Sequence, residues 1–127
     1  FAYYTGARLG EIKAIKPEYI NENSILIDGK TGERLLKLTQ QAKDVLGAYK
    51  PWNYSTDYIE KRFRVNLNRL GIKGARFHDL RRTFGYNLIR QGRPIYEVSK
   101  LLGHSSVTTT ERHYAPLLAT EIEDFIL

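Results

Sequence analysis

His78 and Arg81 stand three apart at the expected start of a helix, so both side chains project to one side and can reach a single phosphate. The helix N-terminus adds its own positive end at the same place. A phosphodiester is a poor electrophile that already carries one negative charge, and attack on phosphorus adds more to the non-bridging oxygens. Fixed cations must meet that charge. Guanidinium groups suit the task because they stay ionised and fork two N–H donors onto phosphate oxygens. His78, with a reference pKa of about 6.5, can accept or return a proton near neutrality. A tyrosine nucleophile would need help from such neighbours, because only about 0.1% of a phenol is ionised at pH 7.

Helices and one small sheet must position these groups. Residues 3–15 read as a helix start, with Thr5-Gly6 as punctuation, Leu9, Ile12 and Ile15 recurring at a helical interval, and Pro17 as the stop. Ser24-Ile25-Leu26-Ile27 and Arg34-Leu35-Leu36-Lys37-Leu38 flank a Gly-containing turn and predict a β-hairpin. Thr39 caps a helix through Ala42, Val45, Leu46 and Tyr49 that stops at Pro51, and 51–55 is a loop. From Thr56 or Asp57, Ile59, Phe63, Leu67 and Leu70 share a stripe expected in the core, closed by Gly71. Residues 78–91 form a fourth helix stopped by Gly92, and 94–102 a short one ended by Gly103. Ser105 and Ser106 cap a further helix through Thr109 to Tyr114, broken at Pro116. A last amphipathic segment carries Leu118, Ile122, Phe125 and Ile126, with Glu121, Glu123 and Asp124 around them.

The 127 residues allow one compact domain and exclude a second full one. An apolar share of 42% suffices for a core. No cysteine is present and the three histidines are scattered at 78, 104 and 113, which excludes a disulfide scaffold and a thiolate metal site; no cofactor is indicated. No apolar run of about 18 residues exists, and Phe1 opens in mid-pattern without a charged leader. The expectation is therefore a cytoplasmic protein with neither membrane span nor signal peptide. Residues 51–113 hold 12 basic and 5 acidic side chains, whereas 114–127 hold 3 acidic and no basic ones. DNA or RNA is the expected partner of the basic middle, although charge alone fits a merely soluble basic protein as well.

Five segments, in order, resemble the catalytic domain of the tyrosine recombinases, the phage integrase and Xer/Cre-like family. They are Thr5-Gly6-Ala7-Arg8-Leu9-Gly10-Glu11-Ile12, Gly29-Lys30-Thr31-Gly32-Glu33-Arg34, His78-Asp79-Leu80-Arg81-Arg82-Thr83, Leu102-Gly103-His104-Ser105-Ser106 and Thr109-Thr110-Glu111-Arg112-His113-Tyr114-Ala115. The resemblance implies an α+β fold, mainly α-helical with a small antiparallel hairpin, a DNA breaking-rejoining catalytic domain. It implies six catalytic positions: Arg8, Lys30, His78, Arg81, His104 and Tyr114. Tyr114 would attack the scissile phosphate to give a 3′-phosphotyrosine, with Arg8, Arg81 and His104 on the phosphate, Lys30 protonating the leaving 5′-oxygen and His78 shuttling the nucleophile's proton. No metal or ATP is then needed, since the phenol ester stores the energy of the broken bond. The implied partner is double-stranded DNA, with four protomers on two sites and a monomer without DNA, and 118–125 packing on itself or a neighbour.

Each residue has a plainer reading. Arg8 would pair with Glu11 one turn on at the surface, Lys30 would be a solvated turn lysine, and His78 a buried hydrogen-bonded histidine. His104 would serve a helix C-terminus, and Tyr114, one of nine tyrosines, would be packing. Glu11 is expected to buttress Arg8. Most relatives place the nucleophile nine residues after the histidine of Leu-Gly-His; Tyr114 is ten after His104, with His113 in the ninth place, and no other tyrosine follows His104. Family members also carry a core-binding domain and a first catalytic helix upstream, which predicts that 1–127 is a partial catalytic domain with weak, salt-dependent DNA affinity. Type IB topoisomerase or telomere resolvase chemistry and a non-catalytic DNA-binding fragment are the alternatives.

Overall fold

A computed structural model of the chain describes residues 1–29, 32–47, 52–119, 122, 124 and 126–127. They divide into two compact units, Phe1–Phe84 and Gly85–Leu127. As expected, the fold is mainly helical with one two-stranded antiparallel sheet.

The first unit contains α1 (Ala2–Thr5), α2 (Leu9–Lys13), a 3-10 turn (Pro17–Tyr19), β1 (Ser24–Gly29), β2 (Gly32–Lys37), α3 (Gln40–Leu46), α4 (Thr56–Arg69) and the start of α5 (Asp79–Arg90). The helix expected over 3–15 is thus two short ones. Gly6 separates them at φ +69, and the Phe84 ring lies where a side chain on Gly6 would stand, so neither the backbone sign nor the space admits a Cβ. The chain then leaves α1 at an angle that makes Arg8 the N-cap of α2.

The hairpin pairs Ile25 with Leu36 and Ile27 with Arg34. Alternation puts Ile25, Ile27 and Leu36 on one face, each at most 1% exposed, against Ile12, Ile15, Ala42 and Leu46. Burial of each of these three contributes about 2 kcal/mol. Leu35, on the other face, is exposed. Arg34 lies two residues before Leu36 and so shares the inward face, which decides its role below. The turn residues Lys30 and Thr31 lie outside the described residues.

Thr39 caps α3 as expected, accepting from the Ala42 N–H at 3.3 Å. α3 ends at Leu46; Tyr49 and Pro51 lie outside the described residues. Ser55 caps α4 through the Tyr58 N–H at 3.1 Å. The α4 stripe is shallower than expected. Ile59, Phe63 and Leu67 are only half-buried, and Leu70, the C-cap, is 73% exposed.

The second unit holds the rest of α5, then α6 (Ile95–Leu102) and α7 (Val107–Ala119), with α6 packed on α7. Val98, Ser99, Leu102, Thr110 and Tyr114 are its buried residues with large or polar side chains. Pro116 does not break α7, contrary to expectation. A proline there removes the hydrogen bond to the Arg112 carbonyl and crowds that carbonyl, but it falls in the last turn of α7, and Thr110, Tyr114 and Leu118 recur every four residues on one face across it. Of the apolar face expected at the end, Leu118 is half-buried within α7, while Ile122 is 69% and Ile126 98% exposed; Glu121, Glu123 and Phe125 lie outside the described residues. No described helix is long and apolar enough to cross a membrane.

Candidate functional site

In the first unit three of the six expected residues meet around the turn between α1 and α2. Arg81, in the first turns of α5, is 4% exposed and donates from Nη1 to the Gly6 carbonyl at 2.8 Å, two residues before Arg8. A contact across 75 positions of sequence thereby sets the Arg81 guanidinium on the turn that leads into Arg8, and the charges of both arginines act on His78. His78 precedes α5, and its carbonyl accepts the Arg81 N–H at 3.1 Å. Asp79 holds that turn by accepting the Arg76 N–H at 2.7 Å.

His78 is not the buried histidine of its plainer reading. It is exposed at the rim of a cavity of about 550 Å³ whose wall includes Phe63 and Phe77, edge-to-face at 5.5 Å. Partial loss of water at the imidazole, then the charges of Arg81, Arg82 and Arg8, lower its pKa below the ordinary value, against a smaller opposing pull from Asp79. The neutral, proton-accepting form is favoured at neutrality.

Arg8 does not sit in a simple surface pair with Glu11. Its backbone N–H donates to Glu11 Oε1 at 2.8 Å, which caps α2, while its Nη1 stays 3.9 Å from the same oxygen. The guanidinium partner of Glu11 is Arg34, which donates from Nε to Oε2 at 2.7 Å and from Nη2 to Oε1 at 2.9 Å. Burial alone would push the Glu11 carboxyl up. The Arg34 hydrogen bond, the Arg8 N–H and the two guanidinium charges outweigh it and hold the group below the usual carboxylate value.

In the second unit His104 follows Gly103, the C-cap of α6. Its backbone N–H does the capping, to the Ser99 carbonyl at 3.0 Å, and its ring Nδ1 lies 2.6 Å from Thr110 Oγ1. The His104 and His113 rings are 6.1 Å apart, and those of His113 and Tyr114 6.4 Å. Tyr114 is 3% exposed, and its phenol lies over Gly85, where a methyl group would overlap the hydroxyl. Gly85 is thus the socket for the Tyr114 ring.

The structure therefore gathers Arg8, His78 and Arg81 in one unit and His104 with Tyr114 in the other, and Lys30 is outside the described residues. The sequence reading missed Arg34, Thr110 and Gly85. Arg34 has a signal in retrospect, a charged residue at an inward position of a hairpin strand; Thr110 and Gly85 stand in ordinary helical sequence.

The sequence profile of the phage integrase family matches residues 1–121. The chain belongs to that family. Among curated relatives, the tyrosine recombinase XerC of Staphylococcus saprophyticus is 31% identical over 87% of this chain and 45% of its own length. XerD of Rhizobium meliloti is 29% identical over 98% of this chain and 47% of its own. The chain thus spans about half the length of these relatives. The crystal structure of XerA recombinase superposes with a TM-score of 0.74 at 23% identity, covering 97% of this chain and 56% of XerA. The catalytic domain of bacteriophage HP1 integrase gives 0.71 at 20% identity, covering 96% of this chain and 77% of that one. This integrase-family chain has the fold of a tyrosine recombinase catalytic domain.

Proposed function

We propose that the chain is the strand-cutting and rejoining part of a site-specific DNA recombinase or integrase. The observation that carries this is the cationic nest: Arg81 anchored at 2.8 Å to Gly6 beside Arg8, with both arginines acting on the exposed His78. XerH, a structural relative with a TM-score of 0.73, was captured on its difH substrate after cleavage.

In this reading Tyr114 Oη attacks the scissile phosphorus and His78 takes the phenol proton. The bond from phosphorus to the 5′-oxygen breaks, and Lys30 protonates the leaving oxygen, leaving a 3′-phosphotyrosine and a free 5′-hydroxyl. Arg8 and Arg81 meet the charge on the non-bridging oxygens. His104 joins them as a donor in the tautomer with the proton on Nε2, in which the Thr110 hydroxyl donates to Nδ1. Reversal by another 5′-hydroxyl reseals the strand. Lys30 holds its role by family resemblance alone. DNA is the partner and the nucleoid the place of work; four protomers assemble on two sites, with 118–125 reaching a neighbour, a role that fits the exposed Ile122.

A nicked suicide duplex, which loses its 5′-hydroxyl fragment after cleavage, tests the chemistry. The chain is expected to form a covalent protein–DNA band that Tyr114→Phe abolishes. No band, or one that survives Tyr114→Phe, refutes the assignment.

A further inference from the structure

We propose that Arg34, acting through Glu11, keeps the Arg8 guanidinium available to a DNA phosphate; this rests on the phosphate-binding reading of Arg8. Glu11 is 3% exposed, and a carboxylate so placed beside an arginine normally draws it into a two-pronged pair at about 2.8 Å, which would occupy the donors a phosphate requires. The pair does not form here. Arg34 reaches in from the inward face of β2 and takes both Glu11 oxygens, at 2.7 and 2.9 Å, and Oε1 also accepts the Arg8 backbone N–H at 2.8 Å.

Glu11 Oε1 is thereby bonded twice, about the capacity of its lone pairs, and Arg34 is the carboxylate's close counter-charge, with Arg8 acting on it from farther off. Arg8 Nη1 is left 3.9 Å from Oε1, buried, and without a hydrogen bond among the described residues. A buried donor in that state costs free energy until an acceptor arrives, so the arrangement is primed for an anion oxygen. Arg34 itself need not touch DNA; it is a positioning residue.

The test is equilibrium binding of a fluorescent duplex by the full chain over a salt series, with thermal melts to verify folding. Arg34→Gln releases Glu11 to Arg8. It is expected to weaken binding about tenfold and to lower the slope of log affinity against log salt by about one phosphate contact, as Arg8→Gln does. In a Glu11→Gln background, where nothing competes for Arg8, Arg34→Gln is expected to cost less than about twofold. Arg34→Lys keeps the charge and loses the fork, so a smaller loss in the same direction is expected even where Arg34→Gln does not fold. A lowered melt with unchanged affinity and slope would assign Arg34 to the fold alone and overturn the proposal. So would a loss undiminished by Glu11→Gln. Wild-type binding by Arg8→Gln would instead remove the phosphate reading beneath it, and the inference with it.

Discussion

The two units hold their functional side chains by different physics. Up to Phe84 the work is done mainly by charge: a buried carboxylate forked by Arg34, a guanidinium on the Gly6 carbonyl, and an imidazole whose pKa is lowered by partial loss of water and then by surrounding cations. From Gly85 onward it is done by shape, with the Tyr114 phenol over a bare glycine and one fully buried hydroxyl on the His104 ring. A site that must hold an anion benefits from donors fixed beforehand, because electrostatic stabilisation costs no rearrangement when the charge develops. In the proposed reading, packing supplies the placement of the Tyr114 phenol, while its activation is left to the basic and cationic groups.

The largest effect expected to break the contrast is at Arg81. Arg81→Ala removes a permanent cation and leaves the Gly6 carbonyl without that donor, so cleavage of the suicide duplex should fall at least about a hundredfold. Arg81→Lys should recover little, because an ammonium cannot fork. Equal activity of Arg81→Lys and wild type would mean that charge alone suffices. On the packing side, Gly85→Ala should force the Tyr114 ring out of its socket, at a cost of about 1–3 kcal/mol in stability and with slower adduct formation. An unchanged melt would show that the socket is soft. Thr110→Val should leave His104 Nδ1 without that hydroxyl and slow cleavage about tenfold, with DNA affinity little changed.

Two smaller effects are read from pH. The lowered His78 pKa means that its base form persists below the ordinary histidine range, so the acid limb of the cleavage profile should lie below about pH 6.5 and vanish in His78→Gln. A limb above that value would contradict the cationic surroundings. Glu11 titrates in the folded chain below its unfolded value, so its contribution to stability is complete above the ordinary carboxylate range and is lost as pH falls through the depressed folded value. The melt of Glu11→Gln should therefore depend less on acid than that of wild type over that window.

The hairpin, the Thr39 cap and the bounds of α4, α5 and α6 were legible because turn glycines, hydroxyl caps and apolar spacing are local, whereas the break at Gly6 was not. The inward register of Arg34 was not, since one strand cannot show which face its partner elements cover. Pro116 misled for a related reason: the cost of one missing hydrogen bond is local, but the Thr110, Tyr114 and Leu118 face that outweighs it acts through tertiary packing. The arginine pair was readable as residue types, while the link from Arg81 to Gly6 needed the fold.

The central claim is that the two guanidinium groups and the phenol serve one phosphate. It is tested most directly by a structure of the chain on duplex DNA with vanadate in place of the scissile phosphorus. The account predicts Tyr114 Oη bonded to vanadium, with Arg8 and Arg81 nitrogens about 2.8 Å from its equatorial oxygens. Vanadate bound away from Tyr114, or the two arginines on separate anions, would contradict it.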